Sequence, residues 1–262
     1  MRGVYSRLID TMRTKRRVLG QHFLNSTTFA ERIAQAAEVK NQVVLEIGSG
    51  KGILTKQLAQ RACKVIAVEI DARLADHLRK LNLPGVQVLN TDFLKINLRD
   101  WNKVAVVGNI PYSITSTIIR RLAENREYIE HAVLTMQKEY AAKMMAAVGR
   151  SEYGYTSIYA NHYFEVRKEF NIPPRFFSPS PKVSSVVITL SPRAPKYDAA
   201  YEARFFEFVA GLFRYRRKSL KNAILSYQAR LPEGLDDRRL ASRPQYLSLE
   251  DFHEIFQKAS QS

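Results

Sequence analysis

A single cysteine, Cys63, stands in the 262 residues, so no disulfide framework can form and a reducing compartment suits the chain. Its ordinary role is that of a small buried residue ahead of a strand. Long apolar runs are missing too: none approaches the ~20 residues that cross a bilayer, which argues against a membrane-spanning helix. The opening "MRGVYSRLIDTMRTKRRVLG" is basic and lacks the apolar centre of a secretory signal; residues 1–20 read as a solvated arm, with an organellar address as the rival. The five histidines (22, 77, 131, 162 and 253) show no metal-ligand spacing, and there is neither a nucleophile elbow nor a zinc-type cysteine set, so no metal is expected. Acids are scarce: 25 Asp and Glu face 41 Lys and Arg, a formal charge of +16 with a pI near 10.0. That imbalance speaks of partners rather than of fold. It points first to a polyanion, nucleic acid above all. An anionic membrane would call for a basic amphipathic helix with interfacial Trp or Leu, and an ordinary basic surface is the plain alternative.

What the chain does contain is an alternation. "QVVLEIG", "KVIAVEID", "VQVLNTD", "KVAVVGN" and "HAVLTM" are short apolar runs, and "ILTKQLAQRA", "ARLADHLRKL" and "STIIRRLAEN" between them have helical spacing. Strands separated by helices predict an α/β fold, a parallel sheet covered on both faces, whose ligands bind beyond the carboxyl ends of the strands. After residue 150 the rhythm changes. "FEVRKEFNIPP" and "VSSVVITLSP" read as two antiparallel strands joined by the proline-bearing "PPRFFSPSPK", and a Pro/Ala-rich linker near 191–200 leads into a helical tail. In "FFEFVAGLFRYRRKSLKNAI", Phe205, Phe208, Val209 and Leu212 share one helical face, while Arg214, Arg217, Lys218 and Lys221 repeat that spacing on another. One continuous helix with an apolar side and a cationic, RNA-contacting side is the expectation.

Three strand ends carry unusual residues. "LEIGSGKGILT" sets Gly48, Gly50 and Gly52 between a strand and a helix, where missing side chains permit a tight turn and close approach of a ligand. A phosphate-cradling P-loop fails here, because Leu45 takes its first position and Gly52 follows Lys51. A dinucleotide fingerprint would want glycine at position 53, which is Ile53. The loop of S-adenosylmethionine enzymes fits. Glu69 ends the next strand, 21 residues after Gly48, where a carboxylate can accept both hydrogens of a ribose diol; that feature does not separate NAD from S-adenosylmethionine. Asp92 ends the third strand and can accept from an adenine amino group. Taken singly, each acid is an ordinary turn residue or helix cap.

The fourth strand ends in "GNIPYS". Asn109 falls beside the cofactor loop. If the substrate is an adenine whose N6 is methylated, the Asn109 side-chain oxygen and the Ile110 carbonyl can each accept one N6 hydrogen and turn the nitrogen lone pair towards a methyl sulfonium. Pro111 stiffens the turn, and Tyr112 can stack on the base, worth roughly 1–3 kcal/mol. No general base is needed, since positioning alone supplies about 7–11 kcal/mol. An Asn-x-Pro turn closing a strand is the bland alternative.

In "GQHFL", "LEIGSGKG", "VEID", "NTDF", "GNIPYSIT" and "FFSPSPKVSS", ordered across residues 20–190, the sequence resembles the rRNA adenine N6-dimethyltransferase family. The resemblance implies a Rossmann-like S-adenosylmethionine-dependent methyltransferase sheet over 21–192 and a small helical RNA-binding domain over 193–262, behind the arm. It implies S-adenosyl-L-methionine as cofactor, with His22, Leu24, Gly48, Glu69, Asp92 and Asn109 as contacts. It assigns methyl transfer to Asn109, Ile110, Pro111 and Tyr112, and puts Phe177 on the other face of the target base. Position 22 is His where many members have Asn, and Ser49 stands where many have Pro. Within the family, "LFRYRRKSLKNAI" and "YGYTSIYANHYFEV" are similar to the branch that dimethylates adjacent adenosines of small-subunit rRNA. "EIGSGKG" and "NIPY" are common in the branch that modifies large-subunit rRNA. Ribosomal RNA in an immature small subunit is thus the expected partner, a cytoplasmic monomer the expected state. A non-catalytic assembly or transcription factor and a DNA adenine methyltransferase are the rivals.

Overall fold

The computed structural model describes residues 22–228 and 230–261; the basic arm read over 1–20 lies outside the described residues. The first elements are a two-residue strand β1 (Phe23–Leu24) and helix α1 (Thr27–Ala36), whose start is fixed by Ser26 accepting the Phe29 N–H at 3.3 Å. Then comes the predicted alternation: β2 (Val43–Ile47), α2 (Ile53–Ala59), β3 (Lys64–Glu69), α3 (Ala72–Lys80), β4 (Val86–Asn90), β5 (Val104–Asn109), α4 (Thr115–Glu124) and β6 (Ile129–Gln137). These five strands pair in parallel. Their apolar runs are continuous rather than alternating because both faces are covered; Val44, Leu45, Ile66, Val106 and Val133 are all buried.

Helices α5 (Lys138–Met144) and α6 (Tyr155–Tyr163) lead to β7 (Phe164–Ile172), β8 (Phe177–Ser178) and β9 (Ser185–Pro192). The seven-stranded sheet runs β4-β3-β2-β5-β6-β9-β7, with β9 antiparallel to β6. The direction of strand progression reverses between β2 and β5, so the loops after these two strands diverge and leave a crevice. Gly48 follows one and Asn109 ends the other. Sequence pattern did not disclose that β8, inside the proline-bearing loop, pairs antiparallel with β1 (Phe23 opposite Ser178, Leu24 opposite Phe177).

The chain divides into two compact units. One takes the residues up to Lys138 and Arg167–Pro192; the other takes Glu139–Val166 and Arg193 onwards. One division falls at 192/193, and 139–166 groups with the tail instead of the sheet. Aromatic packing explains this: Tyr159 and Tyr163 of α6 lie 4.8 and 5.4 Å, centroid to centroid, from Phe206 of α7 (Ala199–Arg214). His162 also bonds His253 at 3.2 Å. His162 and His253 belong to a buried network with Glu202 and Tyr201; burial beside His162 pushes the His253 imidazole down to about 4, so it stays neutral in the fold.

The tail continues as α8 (Leu220–Gln228), α9 (Asp237–Ala241) and α10 (Leu249–Gln261). Phe205, Phe208, Val209 and Leu212 are buried as their spacing predicts. The single helix read across 205–224 is corrected: it breaks after Arg214, and a turn through 215–219 folds α8 back. The Ser219 carbonyl accepts from Ala223 N at 2.8 Å and starts the second helix. Gly211 permits the return, since a Cβ there would sit 2.2 Å from the Tyr227 ring. A serine ahead of an apolar residue was the available signal for this N-terminus.

Candidate active site

Gly48 leaves β2 with φ +68°, and its N–H donates to Val68 O at 2.9 Å, tying the loop to the neighbouring strand. Gly52 opens α2 at φ +79°; a Cβ there would come within 2.8–2.9 Å of methyl groups of Leu81 and Leu78, so any side chain would be strained by φ and would displace those methyls. Glu69, buried at the end of β3, closes the arrangement from the other side. Its two carboxylate oxygens accept from Gly50 N at 2.8 Å and from Asp71 N at 2.9 Å. Burial raises its pKa, and those two hydrogen bonds oppose the rise. Glu69 therefore shapes the glycine loop as well as lining the cleft beside it, an arrangement that spacing alone does not reveal.

Asn109 ends β5 with its carboxamide oriented: Nδ2 donates to the His22 carbonyl at 2.8 Å. That bond uses the amide hydrogen side and leaves Oδ1 to act as an acceptor. The strap that brings His22 there is β1, held in place by β8. Ile110 donates its N–H to Thr135 O at 3.1 Å, and Pro111 continues extended at φ −60°, ψ 133°. The Tyr112 hydroxyl bonds Ser185 Oγ at 2.6 Å, and its ring lies 5.2 Å from that of His22, tilted by 34°.

These residues converge. His22, Gly48 and Glu69 line one cleft of about 390 Å³ together with Asn109, Ile110, Pro111 and Tyr112. A second hollow of about 340 Å³ shares Phe23, Gly48 and Asn109 with it and is lined further by Leu24, Glu46 and Lys51. Two sequence-predicted residues stand apart. Asp92 does not line the cleft; its Oδ1 accepts from Leu94 N at 3.0 Å, as a cap of the turn after β4. Phe177, expected on the other face of the target base, sits opposite Leu24 in the β1–β8 pair, is only 3% exposed and packs in the core cluster with Ile33, Ala34 and Ile172. Its ring offers no face to an incoming base in this structure. Arg214, Arg217, Lys218 and Lys221, on the other unit, are all exposed.

Glu46 is the acid that sequence reading overlooked, hidden within "LEIGSG". It is buried, accepts from Thr55 Oγ1 at 2.7 Å, and burial pushes its carboxyl up to about 7. The folded chain thus keeps a proton that the unfolded chain releases above about 4.5. The stability contributed is complete below that value and is lost as pH rises through about 7. Glu46→Gln keeps an acceptor for Thr55 and removes the loss. Denaturant unfolding should find it more stable than wild type at pH 8, by on the order of 3 kcal/mol, with the gap closing towards pH 5.

The donor set fits S-adenosylmethionine. Glu69, buried with both oxygens hydrogen-bonded, lines the cleft and suits a ligand carrying positive charge better than a pyrophosphate. Gly48, without a side chain, sits where the two hollows meet. Among the described residues no group of His, Cys, Asp and Glu is arranged to hold a metal ion, and no helix is long and apolar enough to cross a membrane.

Comparison with known proteins agrees with this geometry. The chain is 38% identical over 242 residues to the ribosomal RNA small subunit methyltransferase A of Thermotoga neapolitana, covering 91% of this chain and 89% of that protein. A solved dimethyladenosine transferase from Plasmodium falciparum superposes with a TM-score of 0.77 at 26% identity, covering 92% of this chain and 98% of the other. The 23S rRNA methyltransferase ErmE superposes with a TM-score of 0.72 at 31% identity, covering 91% and 100%. The family model described as ribosomal RNA adenine dimethylase matches residues 12–261. With its glycine turn, its buried Glu69 and its oriented Asn109 on one sheet edge, the chain belongs to the ribosomal RNA adenine dimethylase family.

Proposed function

We propose that this chain N6,N6-dimethylates adjacent adenosines near the 3′ end of small-subunit rRNA, with S-adenosylmethionine as methyl donor, acting as a monomer in the cytoplasm during ribosome assembly. The small-subunit assignment is supported by small-subunit methyltransferases A that are 37–38% identical over about nine-tenths of the chain. The single observation that carries the catalytic reading is the Asn109 amide, locked by His22 O at 2.8 Å with its oxygen left as acceptor in the same cleft as Gly48 and Glu69.

Bound there, the cofactor supplies a methyl group on a sulfonium. Glu69 accepts from the ribose diol, and the Gly48 turn lets the ligand approach bare backbone. His22 and Leu24 close the wall, while Asp92, outside the lining of both hollows and with Oδ1 given to Leu94 N, would reach the purine amine only with its other oxygen. Asn109 Oδ1 and the Ile110 carbonyl each accept an N6 hydrogen, drawing that nitrogen towards tetrahedral geometry and turning its lone pair to the reacting carbon. Tyr112 stacks on one face of the flipped base. The methylated ammonium passes its proton to water, so no side chain serves as base.

Tritium transfer from labelled S-adenosylmethionine to immature small subunits tests the reading. The expected product after nuclease digestion is N6,N6-dimethyladenosine in small-subunit rRNA; label confined to large-subunit RNA or to DNA would contradict it. The exposed Arg214, Arg217, Lys218 and Lys221 should hold phosphates. Replacing all four by Gln should flatten the dependence of log K on log salt by roughly three units if each neutralises one phosphate; an unchanged slope would make them plain solvated surface.

A further inference from the structure

Two of the exposed large apolar side chains belong to the second unit. Tyr246 is 53% exposed and Val148 46%. Val148 precedes Gly149 in the chain, and Tyr246 packs on Gly149 itself: a Cβ on that residue would lie 3.3 Å from the Tyr246 ring edge, so the ring rests on bare backbone at φ +85°. The platform is built rather than loose. Gly149 N donates to Gln245 O at 2.8 Å, and the Tyr153 hydroxyl donates to Leu247 O at 2.7 Å. Arg216 Nη2 donates to Ser151 O at 2.9 Å and to Gln245 Oε1 at 3.3 Å, so one guanidinium ties both segments together.

The surroundings are cationic. Segments 148–152, 214–218 and 243–247 carry six Lys and Arg and a single acid, Glu152. Arg150 and Arg243 are exposed, the first next to Gly149 and the second three residues before Tyr246, with its carbonyl accepting the Tyr246 N–H at 3.0 Å. One aromatic ring and one valine are too little apolar surface for a protein interface. A rigid, accessible ring among arginines suits an unpaired nucleobase whose flanking phosphates the arginines hold.

We propose that Tyr246, seated on Gly149 and flanked by Arg150 and Arg243, is a base-stacking contact for the RNA substrate, separate from the methyl-transfer cleft. This rests on the reading of the chain as an RNA enzyme. The site holds an unstacked nucleotide of small-subunit rRNA and adds to substrate affinity without touching the reacting atoms.

The test uses the full chain and naked small-subunit rRNA. Tyr246→Ala should weaken RNA binding roughly 5- to 150-fold, with Tyr246→Phe close to wild type. Arg243→Gln should lower the salt slope by about one unit, whereas Tyr246→Ala should leave it unchanged. Tyr246→Trp in a Trp101→Phe background gives a single emitter, whose fluorescence should quench on RNA binding. Tyr246→Ala affinity within twofold of wild type, with no quench, would overturn the proposal. So would a quench that appears only when ribosomal proteins are added. Methyl transfer by the wild type, followed in parallel, keeps the two claims apart: full activity on RNA that Tyr246→Ala binds normally refutes this surface and leaves the enzyme reading standing.

Discussion

Asn109→Asp should reduce methyl transfer on the order of 10²–10³-fold, the scale on which one preorganised hydrogen-bonding group acts in a transition state. The two side chains are nearly isosteric, so packing is not the reason. The carboxamide donates to the His22 carbonyl at 2.8 Å; a carboxylate there would set oxygen against oxygen, and the side chain would rotate its acceptor out of line. Asn109→Ala, which removes the acceptor altogether, should be at least as damaging. Single-turnover methylation with saturating cofactor reads the effect, and calorimetric titration of S-adenosylmethionine shows how much belongs to binding. Near-normal turnover by Asn109→Asp would mean that the amide orientation is incidental.

Tyr112→Ala is the second large loss. Removing a stacking partner worth roughly 1–3 kcal/mol per base should cost about 5- to 150-fold in turnover with RNA and leave cofactor affinity nearly intact. The hydroxyl bond to Ser185, 2.6 Å long, gives a way to divide ring from tether. Tyr112→Phe keeps the ring and loses the bond, so it should fall between wild type and Tyr112→Ala. Equal losses of cofactor affinity and turnover in Tyr112→Ala would argue that the ring serves the cofactor pocket and not the base.

What was legible in the sequence follows from where information is local. Gly48, Glu69 and Asn109 announce themselves because each sits at the end of a strand whose apolar run can be read, and a parallel sheet gathers strand ends on one edge. The orientation of Asn109 was not legible, since His22 is 87 residues away and reaches it only through the β1–β8 pair, two residues on each side. The same pair buries Phe177: resemblance assigns a role to a position, whereas register decides which way the ring faces. The break after Arg214 was obscured because an apolar face continuing through Leu220, Ala223 and Ile224 has the same spacing whether the helix runs on or folds back. Segment 139–166 looked like part of the sheet domain by order alone; its affinity for the tail lies in ring contacts between Tyr159, Tyr163 and Phe206, which no linear pattern contains. Glu46 was passed over as one letter of a glycine motif, and only its burial marks it.

A crystal structure of the chain with S-adenosylhomocysteine bound is the most direct measurement of the central claim. The account predicts the thioether sulfur beside the Asn109 carboxamide, the ribose hydroxyls on Glu69, and the Asn109 amide still donating to His22 O. A sulfur seated away from Asn109, or an amide turned so that its nitrogen faces the reacting centre, would contradict it.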